Sequence, residues 1–122
     1  MKIDNVILNA VNYFERFDDN ALRTIVLNEL KKLGVIGKKY DADLLVRKSK
    51  ELINYVKKNE EIYSEAFMII LLIALSKYVE KLSDEISQCD MSESMDKIRK
   101  LRDEKLNADS KIVTIFRSLQ ST

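Results

Sequence analysis

Histidine, proline and tryptophan do not occur in this chain of 122 residues, cysteine occurs once and glycine twice. Each shortage closes off a class of protein. Without histidine there is neither the commonest general base nor the commonest metal ligand, so most hydrolytic triads are excluded. A lone Cys89 can form no intramolecular disulfide, which fits a reducing compartment. With no histidine to lower its pKa and Asp90 beside it, Cys89 reads as an ordinary loop or core thiol and not as a nucleophile. The only glycines, Gly34 and Gly37, are too few for the hairpin turns of a sheet protein. Gly34-Val35-Ile36-Gly37-Lys38-Lys39 has neither the spacing nor the following Ser or Thr of a phosphate-binding loop.

Long hydrophobic runs are also scarce. The longest is ten residues, Ala66 to Leu75, about half of what spans a bilayer. Glu60, Glu61 and Glu65 before it and Lys77, Glu80 and Lys81 after it prevent its extension, so no membrane role is expected. Met1-Lys2-Ile3-Asp4-Asn5 places an acid where an export signal needs apolar residues, so the expected setting is cytoplasmic.

What the chain does contain favours helices. Hydrophobic residues make up 46% and charged residues 34%, a combination expected of helices with one apolar and one densely solvated face. Val6, Ile7, Ala10, Val11, Phe14 and Phe17 predict a first helix within residues 4–17, with Asp4 as its cap. A second cap among Asp18, Asp19 and Asn20 opens a helix carrying Leu22, Ile25, Val26, Leu30 and Leu33, which should stop at Gly34. Val35 to Tyr40 reads as a connector, and Asp41 or Asp43 caps a third helix through Leu45, Leu52 and Val56.

Glu60 and Glu61 suit the first turn of a fourth helix reaching about Ser87. At roughly 42 Å such a helix exceeds the ~36 Å diameter expected of a compact domain this size. Either it breaks near Ser76 and Lys77 or its end projects into a partner. Gln88 to Ser94 reads as a loop, Met95, Ile98 and Leu101 as a short helix, and Asp109 or Ser110 as the cap of a last helix carrying Ile112, Val113, Phe116 and Leu119. No linker or repeat divides the chain. The expected architecture is therefore all-α: one domain over residues 1–122, a compact bundle of five or six helices around a hydrophobic helix buried on every side. Enclosing that helix takes either the chain's remaining helices or a second copy.

Hard divalent cations need only oxygen ligands, which leaves an all-carboxylate Mg²⁺ site as the residual route to catalysis. Glu61 with Glu65 and Glu80 with Asp84 each lie four apart on one helix face, but about 22 Å of helix separates the two pairs. Helical nucleotide pyrophosphatases set paired acids three and four apart on two facing helices, an arrangement this sequence does not reproduce. No cofactor, metal or small-molecule substrate is indicated.

Charge is unevenly distributed: residues 31–58 carry +6, residues 59–96 carry −7 and residues 97–122 carry +4, which the overall +1 conceals. Such segregation either attracts a polyanion or pairs within the protein or between its copies. The favoured reading is a non-catalytic binding or assembly module that acts through protein–protein contacts, as a homodimer or within a larger complex. The alternative is a nucleic-acid-binding subunit whose second helix, turn and third helix set Lys38, Lys39, Arg47, Lys48, Lys50, Lys57 and Lys58 on phosphates, with Tyr40 and Tyr55 near enough to stack on bases. The six-residue connector is longer than that of a helix-turn-helix.

Overall fold

The computed structural model describes residues 2–58, 61–89 and 95–121, and among these the regular structure is entirely helical. Five α-helices follow in order: α1 (Asn5–Phe14), α2 (Asp19–Lys32), α3 (Ala42–Lys57), α4 (Glu65–Gln88) and α5 (Met95–Gln120), with one 3₁₀ turn, Gly37–Lys39, between α2 and α3. Short polar side chains set where four of them start. Asp4 accepts from the Ile7 amide at 3.0 Å, Asp18 from Ala21 at 2.8 Å, Asp41 from Asp43 at 3.0 Å and Ser64 from Phe67 at 3.4 Å. Each satisfies an amide that has no partner within the helix, a gain of about 1 kcal/mol per cap. Helix α2 stops where expected, because Gly34 takes the left-handed conformation with φ of 60°.

Helix α4 is the axle of the bundle, in contact with α1, α2, α3 and α5. Seven consecutive residues, Ile69 to Leu75, are buried on all sides. Enclosure is less complete than the sequence suggests, because Ala66, Phe67 and Met68 lie at the bundle's end and are only half-buried. The chain's own helices surround the run, so no second copy is needed to enclose it. Each large side chain buried there contributes about 1.5–3 kcal/mol.

The expected length conflict resolves at the N-terminal end of α4. Residues 61–64 are not helical, and Ile62 among them plugs fully into the core while Ser64 supplies the cap. The helix thus starts at Glu65, not near Glu60, and its 24 residues measure roughly 36 Å, which a compact domain holds without a break at Ser76 and Lys77. Asn59 and Glu60 lie outside the described residues, as does most of the loop expected at Gln88–Ser94; Gln88 itself is the last residue of α4.

Helix α5 lies antiparallel along α4, with Glu104 reaching Tyr78 and Lys97 lying near Glu85. It covers the distal half of α4, where Tyr78 and Leu82 are buried. Two short helices divided at Asp109 or Ser110 were expected; one 26-residue helix is found. No glycine or proline interrupts residues 95–120, Ala108 is fully buried at the helix contact, and Ser110 is an interior residue whose carbonyl takes a hydrogen bond from Thr114 Oγ1 at 3.0 Å. The apolar stripe looks broken in sequence because its inward position 104 is charged.

Buried side chains of all five helices form a common core. Ser49, inside it, donates to the Leu45 carbonyl at 2.8 Å, and among the described residues no buried side-chain nitrogen or oxygen lacks a partner. No described helix is long and apolar enough to cross a membrane.

Candidate functional site

The seven basic residues singled out by sequence divide between the 3₁₀ turn and α3 with its C-terminal end. Lys38 and Lys39 project from the 3₁₀ turn, whereas Arg47 and Lys58 lie along the outer side of α3; none of the four makes an ion pair among the described residues. The other three are engaged within the chain. Lys50 pairs with Asp19 at 3.2 Å and Lys57 with Glu15 at 3.1 Å, while Lys48 lies 3.7 Å from Glu51 and 6.0 Å from the centre of the Phe67 ring. Two lysines of the positive segment thus pair with acids at the α1–α2 junction, and among the described residues none pairs with an acid of residues 59–96. These pairs are exposed and each contributes at most about 1 kcal/mol, but they remove cations from a phosphate-binding surface. Of the two tyrosines, Tyr55 packs against Phe67 at 5.5 Å between ring centres, and Tyr40 is held by Glu65.

Three of the four acids considered for a metal, all but Asp84, are likewise engaged. Glu65 accepts from the Tyr40 hydroxyl at 2.5 Å, Glu61 from the Tyr63 hydroxyl, and Glu80 pairs with Lys77 at 2.6 Å. Burial and then the Glu65 carboxylate hold the Tyr40 hydroxyl well above its ordinary pKa, so it stays a donor. Among the described residues no three His, Cys, Asp or Glu side chains are grouped closely enough to hold a metal ion. Cys89 is a half-buried free thiol at the edge of a cavity of about 420 Å³ shared with Glu85, Gln88 and Lys97.

Where α2, the 3₁₀ turn and α3 meet, the structure forms a groove of about 330 Å³ that periodicity does not reveal. Leu27 and Leu30 of α2, Ala42 of α3 and the ring of Tyr40 supply apolar surface, and Lys31 and Lys38 stand at the rim. The floor depends on Gly37. A Cβ there would lie 2.0 Å from the Leu30 carbonyl oxygen, so only glycine lets the turn approach α2 this closely. Beside the groove Val35 stands 76% exposed, the most exposed large hydrophobic side chain among the described residues. Of these residues Lys38 and Tyr40 were among the sequence candidates; Lys31 was visible only as part of the basic segment.

A second polar feature joins three helices. Tyr78 of α4, 5% exposed, donates to Glu104 Oε2 of α5 at 2.5 Å, and Asn9 Nδ2 of α1 donates to the other carboxylate oxygen at 2.8 Å. Burial, then the Glu104 carboxylate, raises the Tyr78 pKa, which keeps this hydroxyl protonated as well. Sequence reasoning missed the network because the three residues are distant along the chain, and a glutamate on an apolar stripe was its only signal.

Comparison of the chain with models of protein families, with curated proteins and with solved structures finds no match, so the reading of its function rests on this geometry.

Proposed function

We infer that the protein acts without catalysis as a helical binding module, and that its α2–turn–α3 groove receives a short segment of a partner protein carrying apolar side chains flanked by Asp or Glu. One observation carries this reading: an apolar groove lies between two lysines that make no ion pair among the described residues, with Val35 exposed in the same connector. Exposed apolar surface on an otherwise charged molecule marks contact sites, and the lysines select for an acidic flank. At about 330 Å³ the groove falls at the small end of the ~300–1,000 Å³ range of ligand pockets, suited to one or two anchoring side chains.

A photoreactive benzophenone side chain placed at Val35 tests this in the native cell and in the purified protein, with the same group at the exposed Lys100 of α5 as control. The expected result is a protein adduct from position 35 alone, lost when Lys31 and Lys38 are both changed to Glu. An adduct in the purified protein makes the partner a second copy; one seen only in cells makes it another chain. Equal labelling from both positions, or none from position 35, overturns the reading.

A second reading, binding of nucleic-acid phosphates, is supported by four of the seven candidate cations, Lys38, Lys39, Arg47 and Lys58, which are exposed and make no ion pair among the described residues. It predicts weak, salt-sensitive binding to RNA or DNA: four phosphate contacts give a slope of log K against log salt of about −3.6, against about −6 for all seven residues. No retention of either nucleic acid at about 50 mM salt excludes it.

A further inference from the structure

Away from the groove's lining residues, α1 with the turn after it and α4 form a cleft of about 370 Å³ lined by Asn9, Asn12, Tyr13, Arg16, Tyr78 and Lys81. We propose that this cleft binds a small phosphate monoester with a polar, hydroxylated body, of the sugar phosphate class. Every lining side chain ends in a hydrogen-bond donor, and hardly any apolar surface faces the cleft. An apolar ligand would gain nothing there, whereas an oxyanion meets donors from two helices.

The two cations are placed differently: Lys81 is paired within the chain, whereas Arg16 makes no ion pair among the described residues. The Lys81 ammonium lies 5.4 Å from the centre of the Tyr13 ring and 5.6 Å from that of Tyr78, and its third neighbour is Glu85 at 2.7 Å. Held by two rings and one carboxylate, with its side chain 29% exposed, it is fixed before any ligand arrives. Arg16 follows the last turn of α1 and is exposed; among the described residues it makes no ion pair, and neither the Asn12 amide nor the Tyr13 hydroxyl makes a hydrogen bond. Two carboxylates stand near the cleft: Glu104 already accepts from Tyr78 and Asn9, and Glu85 is paired with Lys81, so neither takes the donors of Arg16, Asn12 or Tyr13. The Arg16 guanidinium, the Asn12 amide and the Tyr13 phenol together offer more donors than one carboxylate can accept and match the terminal oxygens of a phosphate, beside an ammonium already paired with Glu85. The cleft is also larger than one oxyanion needs, which leaves room for the ester's body.

Titration of the full chain with glucose 6-phosphate, glycerol 3-phosphate, inorganic phosphate and glucose, followed by calorimetry and thermal unfolding, tests the proposal. Saturable binding of the two esters with a rise in Tm is expected, weaker for phosphate and absent for glucose. Arg16→Ala should weaken ester binding about tenfold or more while leaving the ligand-free Tm unchanged, because Arg16 is exposed and unpaired. Lys58→Ala, which removes an equally exposed cation elsewhere, should leave ester binding unaltered. The proposal is overturned if no ester raises Tm at about 10 mM, if Arg16→Ala binds as the parent does, if Lys58→Ala weakens binding equally, or if inorganic phosphate binds as tightly as its esters. Binding to a phosphorylated peptide but to neither small ester also overturns it, and assigns the cleft to a modified protein.

Discussion

Changing Gly37 to alanine probes both the fold and the groove. The added Cβ would meet the Leu30 carbonyl oxygen at 2.0 Å, its carbon at 2.8 Å and its Cα at 3.1 Å. Carbon–oxygen contacts settle at about 3.3–3.6 Å, so the turn must retreat from α2 by more than 1 Å. All three atoms belong to the backbone of a helix, and no rotamer change relieves the overlap. Overpacking of this kind costs about 1–3 kcal/mol, and the rigid neighbour puts Gly37→Ala at the upper end. Gly34→Ala is the matched control. Its Cβ meets nothing within 4 Å, and the penalty is only that of a left-handed alanine, about 1–2 kcal/mol. In both variants the less flexible unfolded chain returns about 0.4–1 kcal/mol. Urea unfolding followed by far-UV circular dichroism should therefore rank Gly37→Ala about 2 kcal/mol below the parent and Gly34→Ala within about 1 kcal/mol of it. Crosslinking from Val35 should fall in Gly37→Ala under conditions where the variant is still folded. A Gly37→Ala protein as stable as the parent, or a ranking reversed between the two glycines, would refute the close approach on which the groove depends.

Leu71→Ala removes a fully buried side chain from the axle and should cost about 2–5 kcal/mol in the same assay; a loss below about 1 kcal/mol would mean that α4 is not enclosed. Tyr78→Phe takes one of two donors from Glu104 and should cost about 1–3 kcal/mol with no change in helix content, a penalty absent if the network plays no part in joining α4 to α5. At Asp4 partial burial works upward on the carboxyl pKa, but hydrogen bonds from Lys111 and the Ile7 amide outweigh it and leave it below its ordinary 3.8. The stability it contributes is therefore present above about pH 4 and lost as pH falls through the folded-state value. The gap between the parent and Asp4→Asn should close on acidification, and a constant gap would show that the Lys111 pair at 2.6 Å does not stabilise the fold.

Some of this protein was written in short stretches of sequence. The all-α class, the caps at Asp4 and Asp18, the stop at Gly34 and the burial of Ile69 to Leu75 follow from neighbours within a few residues of one another. These are properties of one turn of helix or one apolar run, and no distant contact is needed to see them.

What remained was decided between elements. The start of α4 depends on Ile62 finding a core pocket outside the helix, and the continuity of α5 depends on Glu104 meeting Tyr78 and Asn9, which turns a seeming break in an apolar stripe into a satisfied inward position. The basic segment could be counted residue by residue, but the capture of Lys50 and Lys57 by Asp19 and Glu15 is set by how α3 lies across the α1–α2 junction. Both candidate sites are of this second kind. The groove exists because Gly37 lets a turn touch a helix, and the cleft because three residues of α1, with Arg16 just after it, meet two of α4. Helical periodicity tells which residues turn inward, and only packing decides which residues they meet.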